Sequence, residues 1–294
     1  MRITQSMILR NTMRSINNSR DDMHQIQNRI STQKKVQKAS DDPISYSRAM
    51  RFRRSLEQNK QYIKNINDAL SWTSSTSISL DQLYAYALDA TEMATRGADG
   101  TVDADIRMQL AESVRGLLLE SVNIGNSQYL GKSLFAGTMT DESEPFSMVG
   151  DVVTYLGNDE KIERRATENL VKEINTTGQE LADTELFLAL TDLITALEAN
   201  DVMAINASMD QMQTVKKNLL TLSTRVGSKQ SNLELISLRL DDSNVKLAEY
   251  ISDEEDAVME EEVVRLASEE IAYQAALQSA SKIMTMNIMD YLAI

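Results

Sequence analysis

Apolar residues in the first thirty positions of the chain recur at intervals of seven. The repeat consists of Leu9, Ile16, Met23 and Ile30, with Met13 and Ile26 widening the stripe. This spacing is typical of a helix that packs against another helix in a coiled coil. Apart from Pro43, no proline or glycine occurs in the first 96 residues, so the pattern predicts long helices.

The last third of the chain carries a second heptad pattern. An apolar residue recurs every seven positions from Leu219 to Leu247, and neither glycine nor proline follows Gly227. Beyond an acidic stretch at residues 252–262, a further stripe begins in a shifted register. Its members in the predicted terminal seam are Leu266, Tyr273, Leu277, Met284, Ile288 and Tyr291. We therefore predict that this stripe pairs with the N-terminal one.

The middle of the chain has a different pattern. Helical spacing continues to a turn at residues 96–107, and a returning helix follows it. From about residue 138 to 178, short apolar runs alternate with Gly, Asn, Asp and Thr, which indicates strands and turns, and helical spacing resumes at residues 183–200. The predicted fold is mainly α with a small β insertion, an elongated helical bundle whose N- and C-terminal helices pair as a coiled coil.

The charge distribution supports the pairing of the two ends. Residues 1–60 carry thirteen Lys or Arg and five Asp or Glu, whereas residues 251–294 carry two Lys or Arg and ten Asp or Glu. Each exposed ion pair contributes only about 0 to 1 kcal/mol, so we expect charge to select the partner and the apolar seams to hold it. The acidic stretch at residues 252–262 is interpreted as a solvated helix face or as a surface for the basic N-terminus.

One predicted boundary is the turn Ser40, Asp41, Asp42 and Pro43. Aspartate is a preferred N-cap, and proline is favoured at the first helical position. Asp41 adds negative charge near the positive end of the helix that follows. We therefore predict that a new helix begins at this turn and that the turn separates the terminal helix from the rest of the bundle.

The composition excludes several function classes. A formal charge of −14 disfavours nucleic acid as a partner, and no apolar run is long enough to span a membrane. Cysteine is absent, and the single histidine, His24, is interpreted as a surface residue. Phosphate-binding, dinucleotide, zinc-protease and hydrolase motifs do not occur. We predict no catalytic site, no metal site and no cofactor.

Three motifs at characteristic places carry a family resemblance. They are SDDPISYSRAM at residues 40–50, RVGSKQSNLE at 225–234 and YQAALQSASKIMTMNIMDYL at 273–292. Together they resemble the bacterial flagellin superfamily. The start MRITQSMI and the segment NSQYLGKSLFAGTMTDESEPFS at 126–147 are most similar to the hook-filament junction proteins of that superfamily.

The resemblance implies a structural subunit that adapts the flagellar hook to the filament. The implied partners are further copies of the chain in a ring or helical tube segment, the other hook-filament junction protein, flagellin, an export chaperone and the type III export apparatus. The implied location is the extracellular flagellum, reached without a cleavable signal peptide. A filament flagellin and a cytosolic coiled-coil signalling or scaffold protein remain as alternatives.

The resemblance also implies a division of the chain into five segments. Residues 1–40 and 262–294 would form the terminal coiled coil, and residues 41–137 and 181–261 would form the two halves of a helical domain. Residues 138–180 would form a small β-rich outer domain.

Overall fold

The structure is a computed structural model that describes residues 5–142 and 144–292. The described residues divide into two compact units. The terminal unit comprises Met1–Glu57 and Ser243–Ile294, and the central unit comprises Gln58–Asp242. The elements in chain order are α1 (Gln5–Thr32), α2 (Pro43–Gly97), α3 (Ala104–Gly125), β1 (Gln128–Tyr129), β2 (Lys132–Ser133), β3 (Phe146–Val149), β4 (Val152–Tyr155), β5 (Glu163–Thr167), β6 (Leu170–Glu173), α4 (Gly178–Ala182), α5 (Leu186–Glu198), α6 (Val202–Glu255) and α7 (Met259–Leu292).

This architecture confirms the predicted fold class, mainly α with a small β insertion. Four of the predicted apolar runs form β3 to β6, which pair as two antiparallel hairpins. A third hairpin, formed by the two-residue strands β1 and β2, was not predicted from the sequence. Its strands flank Leu130 and Gly131, both of which have a positive φ. Strands this short leave no periodic signal in the sequence.

The core of the central unit is a single cluster of buried apolar side chains. In α2, Ala87, Ala90 and Ala94 are completely buried at helical spacing, and their small side chains permit close packing. Leucines of α3 and α5, including Leu118 and Leu193, are also completely buried. Helix α5 therefore forms because its apolar stripe is covered by its neighbours.

The β insertion is attached through the segment Leu134–Thr138. Leu134, Phe135 and Ala136 are buried, and the hydroxyl of Tyr155 lies within hydrogen-bond distance of the Phe135 and Asn158 carbonyls, at 3.0 and 2.7 Å. The Thr138 backbone N–H donates to the Asn158 side chain at 2.8 Å. The segment thus connects the helical core to the hairpins.

Gly137 lies where a side chain would not fit. It has a φ of +69°, and a Cβ at this position would overlap the backbone and side chain of Asn158. We expect Gly137→Ala to lower the free energy of unfolding by about 1 to 3 kcal/mol, because both the positive φ and the steric overlap are unfavourable. Thermal unfolding followed by circular dichroism measures this loss.

The matched control is Gly131→Ala. Gly131 has a similar φ of +75°, but no heavy atom lies within 4 Å of a Cβ there. The control therefore isolates the backbone strain from the overlap. Equal losses in the two variants would show that Asn158 does not pack against Gly137 as described.

Candidate assembly interface

Helices α1 and α7 pack side by side in the terminal unit. Arg29, near the end of α1, lies 3.7 Å from Glu262, near the start of α7, so the helices run antiparallel. The less exposed positions alternate at steps of three and four residues, which is the spacing of a coiled-coil seam. On α1 they include Thr12, Ile16, Ser19, Met23, Ile26 and Ile30, and on α7 Glu262, Leu266, Glu269, Tyr273, Ala276 and Ala280.

Half of the sequence-predicted seam residues lie at these inner positions. They are Ile16, Met23, Ile26, Ile30, Leu266 and Tyr273. Met13 and Leu277 are instead 50% and 44% exposed. Thr12 and Ala276 take the inner positions because they continue the steps of three and four. Leu9, Met284, Ile288 and Tyr291 lie outside the residues whose side chains the structure describes.

Sequence reasoning missed the polar members of the seam. Glu262 is 5% exposed, and Arg29 and Arg265 both lie within ion-pair distance of its Oε1. Ser19 and Glu269 also take inner positions. The signal was present in the spacing, since Glu262 and Glu269 repeat every seven residues with Ala276 and alternate with Leu266 and Tyr273, but a search for apolar residues passes over them. A polar seam residue fixes the register of a helix pair and lowers its stability.

The outward side of the helix pair is also partly apolar. Several apolar side chains there are at least half exposed, namely Met7, Met13, Val263, Val264 and Ile271. Helices that are apolar on more than one face are normally buried on more than one side. Such a surface is typical of a protein that packs against further subunits.

The link between α1 and α2 pairs with the break between α6 and α7. The Lys35 and Val36 backbone N–H groups donate to the Glu255 carbonyl at 2.7 and 3.2 Å, and the Ala257 N–H donates to the Gln33 carbonyl at 2.9 Å. These bonds satisfy backbone groups at two helix ends, which otherwise lack partners. The link between α1 and α2 and the break between α6 and α7 are therefore hydrogen-bonded to each other.

A buried carboxylate lies at this junction. The Glu255 side chain is only 5% exposed, and its Oε2 accepts hydrogen bonds from Lys34 Nζ at 2.6 Å and Arg53 Nη2 at 2.5 Å. Beside it, Arg48 lies 3.3 Å from Glu254. The acidic stretch thus contacts the basic N-terminal region through specific ion pairs.

The predicted boundary turn begins α2. Asp42 Oδ1 accepts the backbone N–H groups of Ile44 and Ser45 at 2.9 and 3.2 Å, and Pro43 is the first helical residue. Asp41 Oδ2 accepts the backbone N–H groups of Gln37 and Lys38, both at 3.0 Å. The turn Ser40–Pro43 therefore accepts hydrogen bonds both from the link that precedes it and from the start of α2 that follows it.

The link should loosen at acidic pH. Hydrogen bonds from Gln37 and Lys38 lower the pKa of Asp41, and those from the Ser45 hydroxyl and nearby backbone lower the pKa of Asp42. Because both pKa values are lower in the folded state, their stabilisation is present above the unfolded pKa of about 3.9 and is lost as pH falls through the folded values.

We expect amide exchange at residues 37–45 to accelerate below about pH 4 beyond its intrinsic pH dependence. Hydrogen exchange by mass spectrometry between pH 7 and pH 3 measures it. Asp42→Asn, which cannot lose a negative charge, should show a smaller dependence. Identical profiles for the two proteins would contradict the role of Asp42.

Comparisons with known proteins agree with this geometry. A family model described as the bacterial flagellin N-terminal helical region matches residues 3–140, which span α1, α2, α3 and the first hairpin. Flagellar hook-associated protein 3 of Escherichia coli is 27% identical over 312 aligned positions, covering 97% of this chain and 96% of that protein. The chain is therefore similar to flagellar hook-associated protein 3 over nearly its whole length, and to the flagellin N-terminal region over residues 3–140.

Solved structures of flagellar hook-associated proteins share the fold. A flagellar hook-associated protein from Vibrio parahaemolyticus aligns with a TM-score of 0.68 at 20% identity, covering 74% of this chain and all of that one. FlgL from Bacillus cereus aligns with a TM-score of 0.60 at 18% identity, covering 69% of this chain and 99% of that one.

A second sequence relative is flagellar hook-associated protein 3 of Salmonella typhimurium. It is 27% identical, and the alignment covers 80% of this chain and 82% of that protein.

The histidine, the acidic groups and the helices bear on other functions that the chain could have. His24 is exposed on α1. Within residues 5–142 and 144–292, no group of three or more acidic or histidine side chains could hold a metal ion. No helix in the described part of the chain has the length and apolar character needed to cross a membrane.

Proposed function

We propose that this chain is a structural subunit of the bacterial flagellum that joins the hook to the filament. The observation that carries the proposal is the α1–α7 pair, which has an inner seam and several exposed apolar side chains on its outward side. The match to hook-associated protein 3 over nearly the whole chain supports the junction role. In this role the chain acts by packing, without catalysis.

In the assembled flagellum, the outward apolar residues of the terminal helices would pack against the same helices of neighbouring copies. The other hook-filament junction protein would lie on one side of this layer and flagellin on the other. Met13 and Leu277, the exposed members of the predicted seam, would be covered in that setting. Burying the exposed apolar side chains supplies the driving force, at roughly 25 cal/mol per Å².

We further propose that the chain reaches this place through the flagellar type III export apparatus with the help of an export chaperone. Passage through a narrow channel requires terminal helices that unfold readily. Polar residues within the seam, such as Ser19, Glu262 and Glu269, support this, because they make the isolated helix pair less stable than a fully apolar one. The resulting location is the extracellular flagellum.

Deleting the gene in the native strain tests the junction role. We expect cells that retain hooks, lack filaments and release flagellin into the medium, because filament subunits would have no layer on which to assemble. Electron microscopy and immunoblotting of the culture medium provide the readout. Re-expression of the chain is the control and should restore filaments.

The same experiment distinguishes the second candidate, a filament flagellin. If hooks in the deletion strain carry both junction proteins but no filament, the result would favour the filament flagellin. Normal filaments in the deletion strain would refute both.

A further inference from the structure

A cavity of about 300 Å³ lies in the central unit between α2 and the β hairpins. Its apolar wall includes Trp72, Ile162 and Ile174, and its basic rim consists of Lys132, Lys161 and Arg164. This volume is at the lower end of the range for small-molecule sites, about 300 to 1,000 Å³. The cavity lies outside the terminal helices that carry the proposed function.

The rim of the cavity is positively charged in a chain whose formal charge is −14. Lys161 Nζ lies 3.0 Å from Glu180 Oε1, so its charge is balanced. Lys132 and Arg164 have no carboxylate within ion-pair distance among the described residues, although Glu163 also lines the cavity. The rim therefore presents two cations that no acidic side chain neutralises directly.

Trp72 provides an independent observation. It is 7% exposed, and its buried indole Nε1–H has no hydrogen-bond partner within the described residues. Buried N–H groups are nearly always paired, so an unpaired one needs an explanation such as a bound water or ion. The indole packs edge-on against Tyr129, with ring centroids 6.1 Å apart, which holds it in place.

Hydroxyl groups complete the lining. Thr138 and Thr140 both border the cavity, and Thr138 Oγ1 is held by hydrogen bonds to Asn158 and Glu160 at 2.7 and 2.8 Å. The Thr138 hydroxyl accepts from Asn158 and donates its proton to Glu160, so Thr140 supplies the hydroxyl donor of the lining. Lys and Arg side chains next to a hydroxyl donor match the acceptor oxygens of a carboxylate, sulfate or phosphate. A neutral ligand would leave the charges of Lys132 and Arg164 without a counter-charge.

We propose that this cavity binds a small oxyanion, of the size of an acidic monosaccharide or smaller. Lys132 and Arg164 attract and hold the anionic group at the rim, and the Thr140 hydroxyl donates a further hydrogen bond. The apolar wall around Trp72 accepts the remainder of the ligand. The same chemistry serves a free inorganic ion and the acid group of a sugar.

Trp72 is the single tryptophan of the chain, so its fluorescence reports on this cavity alone. The full-length protein is titrated with sodium sulfate, with sodium glucuronate and with glucose, against sodium chloride at equal ionic strength. We expect saturable fluorescence changes with sulfate and glucuronate and none with glucose. Tighter binding of glucuronate would identify an acidic sugar as the source, and tighter binding of sulfate an inorganic ion.

Variants of the rim test the assignment. Because both side chains are exposed, Lys132→Gln with Arg164→Gln should fold normally and weaken anion binding by about tenfold or more. The matched control, Lys217→Gln with Arg239→Gln, removes two exposed cations of α6 that do not line the cavity and should leave binding unchanged. No saturable change with either anion, equal binding of glucose, or undiminished binding by the rim variant would overturn the proposal.

Discussion

Replacing Ile16 with aspartate should separate the terminal helices and abolish assembly. Ile16 is 8% exposed on the seam between α1 and α7. An unpaired carboxylate buried there would cost several kcal/mol, on the order of 3 to 5, which a helix pair with polar seam residues cannot offset. We expect α1 and α7 to become sensitive to protease while the central unit stays folded.

The matched control for this prediction is the next residue. Asn17 is exposed on α1, so Asn17→Asp introduces the same charge without burying it. This variant should be cleaved in α1 and α7 no faster than the unmodified chain and should support motility in the deletion strain, whereas Ile16→Asp should be cleaved faster there and should not restore filaments. Limited proteolysis and swimming assays provide the two readouts. Equal protection of both variants would contradict the seam as described.

Removing the cations around Glu255 should loosen the junction of the terminal unit. The carboxylate is 5% exposed and depends on Lys34 and Arg53. With Lys34→Met and Arg53→Met together, the buried charge loses both partners, a loss that costs about 3 to 5 kcal/mol in comparable cases. Hydrogen exchange at residues 33–36 and 255–257 should accelerate accordingly.

Two further variants make this test specific. Arg48→Met removes an ion pair with the more exposed Glu254, so it should cost less than about 1 kcal/mol. Adding Glu255→Met to the double variant removes the stranded charge and should recover much of the lost stability. If the double variant exchanges no faster than Arg48→Met, the cations do not hold Glu255 in place.

Much of the helical architecture follows from the sequence, because long stripes at helical spacing and the scarcity of Gly and Pro leave few alternatives. The start of α2 is the clearest case, since Asp42 and Pro43 form a cap that local chemistry specifies. The break between α6 and α7 also lies within the acidic stretch that the register shift indicated. These features depend on neighbouring residues, which the sequence displays directly.

Other features depend on contacts between distant residues. That Glu255 is buried, whereas the adjacent acidic residues are more exposed, follows from its pairing with Arg53, about 200 positions away. Thr12, and not Met13 as predicted, lies at the seam because of the way α1 is rotated about its axis relative to α7. The sequence of one helix alone does not determine that rotation. The unpaired indole of Trp72 likewise emerges only when α2 packs against the hairpins. The five-segment division of the chain stays a prediction.

The position of this chain in the native flagellum tests the central claim most directly. Flagella isolated from the native strain can be labelled with a gold-conjugated antibody against the central unit and viewed by electron microscopy. We expect a single cluster of label where the hook meets the filament. Label distributed along the filament, or absent from the isolated flagellum, would contradict it.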